Sequence, residues 1–134
     1  MLAEFRDYLK QLNIADYYSI GKIDNSKDKS IGVYSASNAV GTRIEAAGKA
    51  SSYDRAGVRI LIHWNRNMKE SEAAARVLYE SIRYITATDM DGIHVQYIDL
   101  LDPEPRFIDT DENGVYEYVI SAAIYYRRKI EDVS

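Results

Sequence analysis

The chain has 134 residues, of which 46% are hydrophobic and 28% charged, with a formal net charge of -4 at pH 7 and no cysteine. This composition predicts one globular domain over residues 1–134 and excludes disulfides and thiolate chemistry. The negative charge argues against general nucleic-acid binding, and no apolar run is long enough to predict a membrane partner.

The first predicted element is a short amphipathic helix. Its apolar residues recur at three- and four-residue steps, at Leu2, Phe5, Leu9 and Leu12. Asn13 follows at a position typical of a helix C-terminus. Two short strands are expected next, over residues 17–23 and 30–35, joined by the polar segment 24–29. A polar, charged connection of this kind is typical of a hairpin.

Residues 36–56 are rich in small side chains and show little periodicity. A structureless loop of about 20 residues is uncommon inside a compact domain and is usually functional or disordered. Two interpretations remain open: a mobile linker with no role, and a flexible assembly loop that orders only against a partner.

Regular structure is predicted again over residues 57–64. Alternation there places one apolar set on a single face: Val58, Ile60, Ile62 and Trp64. Asn67 is then a predicted helix N-cap, with Glu70 three residues later as in a capping box. The buried side of this helix is predicted to contain Ala74, Val77, Leu78, Ser81, Ile82 and Ile85.

Another strand is predicted over residues 93–101, and Pro103 and Pro105 are expected to prevent regular structure until the last strand begins. That last strand is long and has two different faces. The predicted core face holds Tyr116, Tyr118, Ile120, Ala122, Ile124 and Tyr126. The half-polar face is a candidate subunit contact and holds Val115, Glu117, Val119, Ser121, Ala123 and Tyr125.

The order of helix, three strands, helix and two strands predicts an α+β fold. We expect one mixed or mostly antiparallel sheet of about five strands, with two helices packed on it.

The segment that precedes the last strand begins like a calcium-binding loop. The residues at the first, third, fifth and sixth places of such a loop are Asp109, Asp111, Asn113 and Gly114. The twelfth place holds Ile120 instead of the bidentate Glu, and the residues between alternate as in a strand. We therefore favour a turn, in which Asp and Asn bind nearby backbone groups and Gly114 adopts positive φ.

Few side chains are candidates for catalysis. His63 and His94 are the only histidines, and each falls in an alternating strand, where a hydrogen-bonded structural histidine is the commoner case. The sequence predicts no enzyme, no catalytic, cofactor-binding or metal site, and no cofactor.

Four segments together resemble one family of viral proteins. They are residues 18–34, the strand 58–65, the helix that begins at Glu70, and the closing 111–118 with Ile124-Tyr125-Tyr126. In this order they are similar to the bacteriophage minor capsid proteins now understood as tail terminators of long-tailed phages or prophages. The resemblance spans nearly the whole chain, and none of its parts is a catalytic signature.

The resemblance implies a structural virion protein of the tail or neck, assembled in the cytoplasm of the bacterial host. Such proteins cap the tail tube as a homo-oligomeric ring, commonly a hexamer, and present a surface to head connector proteins, with DNA only in transit. The residues that we expect to contact a neighbouring subunit or the tail-tube protein are Arg43, Lys49, Tyr53, Arg55, Arg127 and Arg128.

Opposed charges would favour such a ring, in which one patch meets a different patch on the next copy. The basic end of the last strand has an acidic counterpart in residues 99–117, where Arg106 is the one basic residue. The acidic residues of that stretch are Asp99, Asp102, Glu104, Asp109, Asp111, Glu112 and Glu117.

Two alternatives remain open. A head-completion or stopper protein of the neck would have a similar small α+β fold and would differ in its partner, which is the portal-side adaptor. A small nucleic-acid-binding module could use some of the 12 tyrosines for base stacking, and it would retain DNA at moderate salt.

Overall fold

A mixed eight-stranded sheet with two helices forms the part of the chain that the computed structural model describes, which is residues 1–36, 44–45 and 52–128. The helices are α1 (Leu2–Gln11) and α2 (Met68–Arg83). The strands are β1 (Tyr17–Ile20), β2 (Ser30–Ser35), β3 (Ile44–Glu45), β4 (Ser52–His63), β5 (Thr86–Met90), β6 (Ile93–Leu100), β7 (Arg106–Thr110) and β8 (Tyr116–Arg128).

The strands follow the order β1-β2-β4-β8-β6-β5, with β3 paired to β4 and β7 paired to β8. Among the strands of the described ranges, β1 and β2 pair in parallel and every other pair is antiparallel. The α+β class, the mixed sheet and the two packed helices are therefore confirmed. The prediction of about five strands is wrong, because the sequence pattern does not indicate β3, β5 and β7.

Both helices pack on the same face of the sheet, where one hydrophobic core forms. Phe5 and Leu9 of α1 and Leu78 and Ile82 of α2 are fully buried there. The predicted core faces of the two central strands are confirmed, since this core includes Val58, Ile60, Ile62, Trp64, Tyr118, Ile120, Ala122 and Ile124. Full burial of one such aliphatic or aromatic side chain contributes about 1.5–3 kcal/mol.

The predicted end of α1 and the predicted start of α2 are both confirmed. Asn13 follows α1 with a φ of 57°, the left-handed conformation typical of a helix stop. Asn67 caps α2, and its side-chain oxygen accepts a hydrogen bond from the Glu70 N–H at 3.0 Å.

The buried stripe of α2 differs from the predicted one. The residues that α2 buries are Ser71, Ala75, Leu78, Tyr79 and Ile82. Val77, which the sequence predicts to be buried, is 54% exposed. The reason lies in Tyr79, which packs inward and donates a hydrogen bond from its hydroxyl to the Asp102 carbonyl at 2.6 Å. A stripe that includes Tyr79 turns Val77 toward solvent.

The predicted hairpin of the first two strands is wrong, because β1 and β2 are parallel, with Tyr17 opposite Ser30 and Ile20 opposite Val33. Residues 21–29 carry the chain back along the sheet before β2 begins. Ile23 in this connection is buried, and it packs over a glycine of β2. Polar composition identified a loop here, but it does not determine the direction in which the chain returns.

Two strand boundaries also need correction. β4 begins at Ser52, so residues 52–56 of the predicted loop 36–56 are strand, and β3 pairs with them through Ile44 and Tyr53. Residues 37–43 and 46–51 of that loop lie outside the described residues. β7 begins directly after Pro105, because a proline that precedes a strand removes no N–H from its ladder.

Candidate functional site

The sheet face opposite the two described helices carries a cluster of arginine and tyrosine side chains. Alternation along the strands puts these residues on the side away from the core. We call the cluster the arginine–tyrosine face, and it comprises Tyr53, Arg55 and Arg59 of β4, Tyr97 of β6, and Tyr125 and Arg127 of β8.

The centre of this face is a stack of three side chains from three adjacent strands. Tyr125 lies opposite Arg55 on one side and Tyr97 on the other. The two tyrosine rings stack with centroids 4.5 Å apart and planes inclined by 14°. The Arg55 guanidinium carbon lies 5.3 Å from the Tyr125 centroid, within the range of a cation–π interaction.

The stack holds Arg55 by an aromatic ring rather than by a carboxylate. The Arg55 Nε is buried and has no hydrogen-bond partner in the described part of the chain. Burial is the main cause that raises the pKa of Tyr97 above its ordinary value, and the Tyr125 hydroxyl adds to it. Tyr97 is nevertheless 45% exposed, so it presents a neutral, stacked ring to solvent.

A second arginine–tyrosine pair lies beside this stack. The Arg127 guanidinium carbon is 5.4 Å from the Tyr53 ring centroid. The Tyr53 hydroxyl donates a hydrogen bond to Gln96 Oε1 at 3.5 Å, and His94 Nε2 approaches the same oxygen at 3.3 Å. His94 Nδ1 lies 2.9 Å from Asp89 Oδ1, so the histidine is fixed at both nitrogens. These contacts reduce the rotamer freedom that a binding partner would otherwise have to remove.

Three of the six predicted contact residues meet here: Tyr53, Arg55 and Arg127. The side chain of Arg128 lies outside the described residues, as do Arg43 and Lys49. The selection missed Tyr97 and Arg59. The sequence does contain a signal for Arg59: it lies between the core residues Val58 and Ile60, so alternation puts it on the same face as Arg55.

The opposite end of the same face contains a buried histidine. His63 is fully buried, and its Nδ1 lies 2.9 Å from Glu117 Oε2. Its Nε2 is 3.8 Å from Asp111 Oδ2, and neither atom has a hydrogen-bond partner among the described residues. Both histidines thus lie in strands and contact carboxylates. The predicted hydrogen-bonded state is found at both nitrogens of His94, whereas in His63 it is found only at Nδ1.

Asp111 forms the predicted turn. Its Oδ1 accepts hydrogen bonds from the N–H groups of Asn113 and Val115, each at 2.9 Å. Gly114 has a φ of 81°, as the turn requires, and Ile120 lies within β8. The turn interpretation is confirmed, and within the described ranges no group of three or more His, Asp or Glu side chains could hold a metal ion.

Residues 8–128 match the sequence model of a family described as bacteriophage tail terminator protein. The chain belongs to the bacteriophage tail terminator family. This match covers most of the sequence and includes every residue of the arginine–tyrosine face. No curated protein matches the chain.

Membership in the tail terminator family makes this a structural phage protein of the virion tail and not an enzyme. It also implies contacts with other phage proteins. Neither α1 nor α2, the helices of the described ranges, combines the length and apolarity that a membrane crossing needs. The arginine–tyrosine face of this tail terminator is consequently a candidate for protein contacts rather than for chemistry.

Proposed function

We propose that the protein caps the phage tail tube as a ring of its own copies, commonly six, and joins the tube to the head connector. The family match over residues 8–128 carries this proposal. The exposure of part of the arginine–tyrosine face supports it, because Arg59, Tyr97 and Arg127 of that face are exposed to solvent.

The arginine–tyrosine face has the chemistry of a protein-contact surface. Arginine and tyrosine are enriched among the residues that dominate binding energy at interfaces. Arg55 and Arg127 are already held over tyrosine rings, so binding would cost little further conformational entropy. We propose that this face, together with Arg43, Lys49 and Arg128, contacts a neighbouring subunit or the tail-tube protein.

The experiment combines light scattering on the purified protein with negative-stain images of any large species, with and without assembled tail tubes. A ring with a central hole, at the tube end or alone, supports the proposal. A protein that remains monomeric or dimeric and does not bind tube ends contradicts it.

Charge reversal on the arginine–tyrosine face tests whether this surface makes the contacts of the assembly. We expect Arg55→Glu with Arg127→Glu to reduce tube capping or ring formation by about tenfold or more, because like charges at an interface are strongly unfavourable. Lys10→Glu with Lys69→Glu makes the same charge change on the exposed sides of the helices and should leave assembly intact.

The identity of the binding partner distinguishes a tail terminator from a stopper protein of the neck. Copurification with the tail-tube protein supports the terminator function. Copurification with the portal-side adaptor alone would indicate the stopper function, and retention of DNA at moderate salt would indicate a nucleic-acid-binding module.

A further inference from the structure

A cleft between α2 and β7 forms a second surface, whose chemistry differs from that of the arginine–tyrosine face. Its volume is about 300 Å³. Its lining includes Met68, Glu72, Arg76, Glu104, Phe107 and Tyr118. Met68 and Phe107 are each at least half exposed, so the α2–β7 cleft presents apolar surface beside its charges.

The α2–β7 cleft has more carboxylates than cations. Arg76 is shared by two acids, with its Nε 3.4 Å from Glu72 Oε1 and its Nη2 3.3 Å from Glu104 Oε2. All three side chains are at least half exposed, so these ion pairs are weak and can rearrange. One guanidinium between two carboxylates leaves an excess negative charge.

The aromatic wall of the α2–β7 cleft adds a second feature. Phe107 meets Tyr118 edge to face, with ring centroids 5.5 Å apart and an interplanar angle of 63°. Phe107 lies on β7, which pairs only with β8 among the described strands. An exposed ring beside excess carboxylate is an environment that suits an incoming arginine, which can stack and form an ion pair at once.

Arg55, Arg59 and Arg127 cannot reach the α2–β7 cleft of their own copy. The cleft lies on the side of the sheet that α2 covers, whereas the arginine–tyrosine face lies on the other side. β7 pairs with residues 116–119 of β8, and Tyr125 and Arg127 lie about 20–30 Å farther along that strand. Arg59 is exposed and has no ion pair within the described part of the chain.

We propose that the arginine–tyrosine face of one copy docks against the α2–β7 cleft of the next copy, with Arg59 entering the cleft. The inference rests on the proposed ring function and specifies its interface. Two different patches that meet head to tail are the arrangement that a closed ring requires. Glu72 and Glu104, with only Arg76 between them, give the cleft a net charge opposite to that of the three arginines.

Cross-linking between two single-cysteine variants tests the contact, because the natural chain has no cysteine. Met68→Cys labels the α2–β7 cleft, and Asp99→Cys labels the arginine–tyrosine face, since Asp99 lies opposite Ala123 on that side of the sheet. With a short bismaleimide, we expect a cross-linked dimer when the two variants are mixed and none from either variant alone. Cross-linking of either variant with itself, or no cross-link in the mixture, overturns the inference.

Charge reversal provides an independent test on the full chain. Arg59→Glu and Glu104→Arg should each weaken self-association by about tenfold or more, and the double variant should recover most of it, because each new arginine then meets a new glutamate. Lys10→Glu is the matched control and should have no effect. If self-association of the double variant is weakened by as much as the two single effects combined, the proposed pairing is overturned.

The outcomes also separate this inference from the proposed function. Rings at tube ends that persist in Arg59→Glu would overturn this interface and leave the terminator function standing. If the natural protein neither forms rings nor binds tail tubes, the proposed function itself is contradicted. A monomer that binds the tube without any cross-link between copies would overturn only the inference.

Discussion

Ile23 packs directly over Gly32, and this contact sets the path of the connection between β1 and β2. A Cβ added to Gly32 would lie 2.7 Å from Ile23 Cγ1 and 3.2 Å from the Gly21 carbonyl oxygen. A side chain at residue 32 would therefore force Ile23 to move, so the close packing of this connection on β2 depends on a glycine there.

Gly32→Ala should accordingly lower the free energy of unfolding by about 1–3 kcal/mol, the usual cost of overpacking a filled site. Urea denaturation measures it, with Ser35→Ala on the same strand as the control, since Ser35 is exposed. Combining Gly32→Ala with Ile23→Ala should cost less than the sum of the two single changes. Full additivity would show that the Ile23 contact is not what excludes a side chain.

Removal of the Glu117 carboxylate should leave a buried histidine without its acceptor. His63 is fully buried, and Glu117 Oε2 lies 2.9 Å from its Nδ1. We expect Glu117→Leu to lower the free energy of unfolding by about 1–3 kcal/mol, and Glu117→Gln, which keeps an acceptor oxygen, to cost less. Glu112→Leu in the exposed turn serves as the control. Equal losses for Glu117→Leu and Glu117→Gln would rule out the hydrogen bond as the cause.

Loss of the α2 cap should destabilise the protein modestly. Asn67→Ala removes the oxygen that accepts the Glu70 N–H, and we expect a loss of about 1 kcal/mol in the free energy of unfolding. Asn67→Asp keeps a capping oxygen and should be close to neutral. Thermal and urea unfolding of the natural protein, Asn67→Ala and Asn67→Asp would rank their stabilities. If Asn67→Ala is as stable as the natural protein, the cap is dispensable.

The turn before β8 should depend on Asp111 and not on calcium. Asp111→Ala removes the acceptor of two backbone N–H groups, and we expect a loss of about 1–2 kcal/mol in the free energy of unfolding. Among the described residues, Asp109 accepts only the N–H of its neighbour Thr110, so Asp109→Ala should cost less. Millimolar calcium should change the Tm of neither variant nor of the natural protein, whereas a clear rise in Tm would revive the metal-site interpretation.

Stability should fall at alkaline pH. Burial raises the pKa of Tyr79 above its ordinary value in the folded protein, whereas the unfolded chain loses this proton near pH 10. Folding therefore retains a proton that the unfolded chain releases, and the free energy of unfolding decreases as the pH rises past that value. Below it, the contribution of Tyr79 is constant.

Tyr79→Phe has no proton to lose and should show a smaller decrease between about pH 8 and about pH 11. Urea denaturation at both pH values measures the difference. Tyr84→Phe is the control, because Tyr84 is 74% exposed. An identical decrease in Tyr79→Phe and the natural protein would exclude Tyr79 as a source of the alkaline loss.

The sequence predicted best where periodicity and capping act locally. Alternation identified the core faces of β4 and β8, and the Asn67 and Glu70 pair located the start of α2. The parallel pairing of β1 with β2 could not be read in this way, because it depends on the contact between Ile23 and Gly32 across the sheet. The sequence does not predict β7, because Pro105 argues against a strand in this segment and yet lies just before one.

The candidate site was only partly predictable for a similar reason. Basic character and position selected Tyr53, Arg55 and Arg127. The ring that holds Arg55 is Tyr125, and this pairing depends on the register between β4 and β8. Tyr97 joins it only through a β-bulge in β6, which one-dimensional alternation does not indicate.

The position of β8 has a mechanical consequence. This strand runs from the Asp111 turn to Arg127 and is hydrogen-bonded to β4 along one edge and to β7 and β6 along the other. A sharp bend within β8 would have to break ladder hydrogen bonds on both flanks, and each broken bond costs free energy. The arginine end and the Asp111 turn are therefore joined by a strand that resists bending, with a neighbour on each side over most of its length.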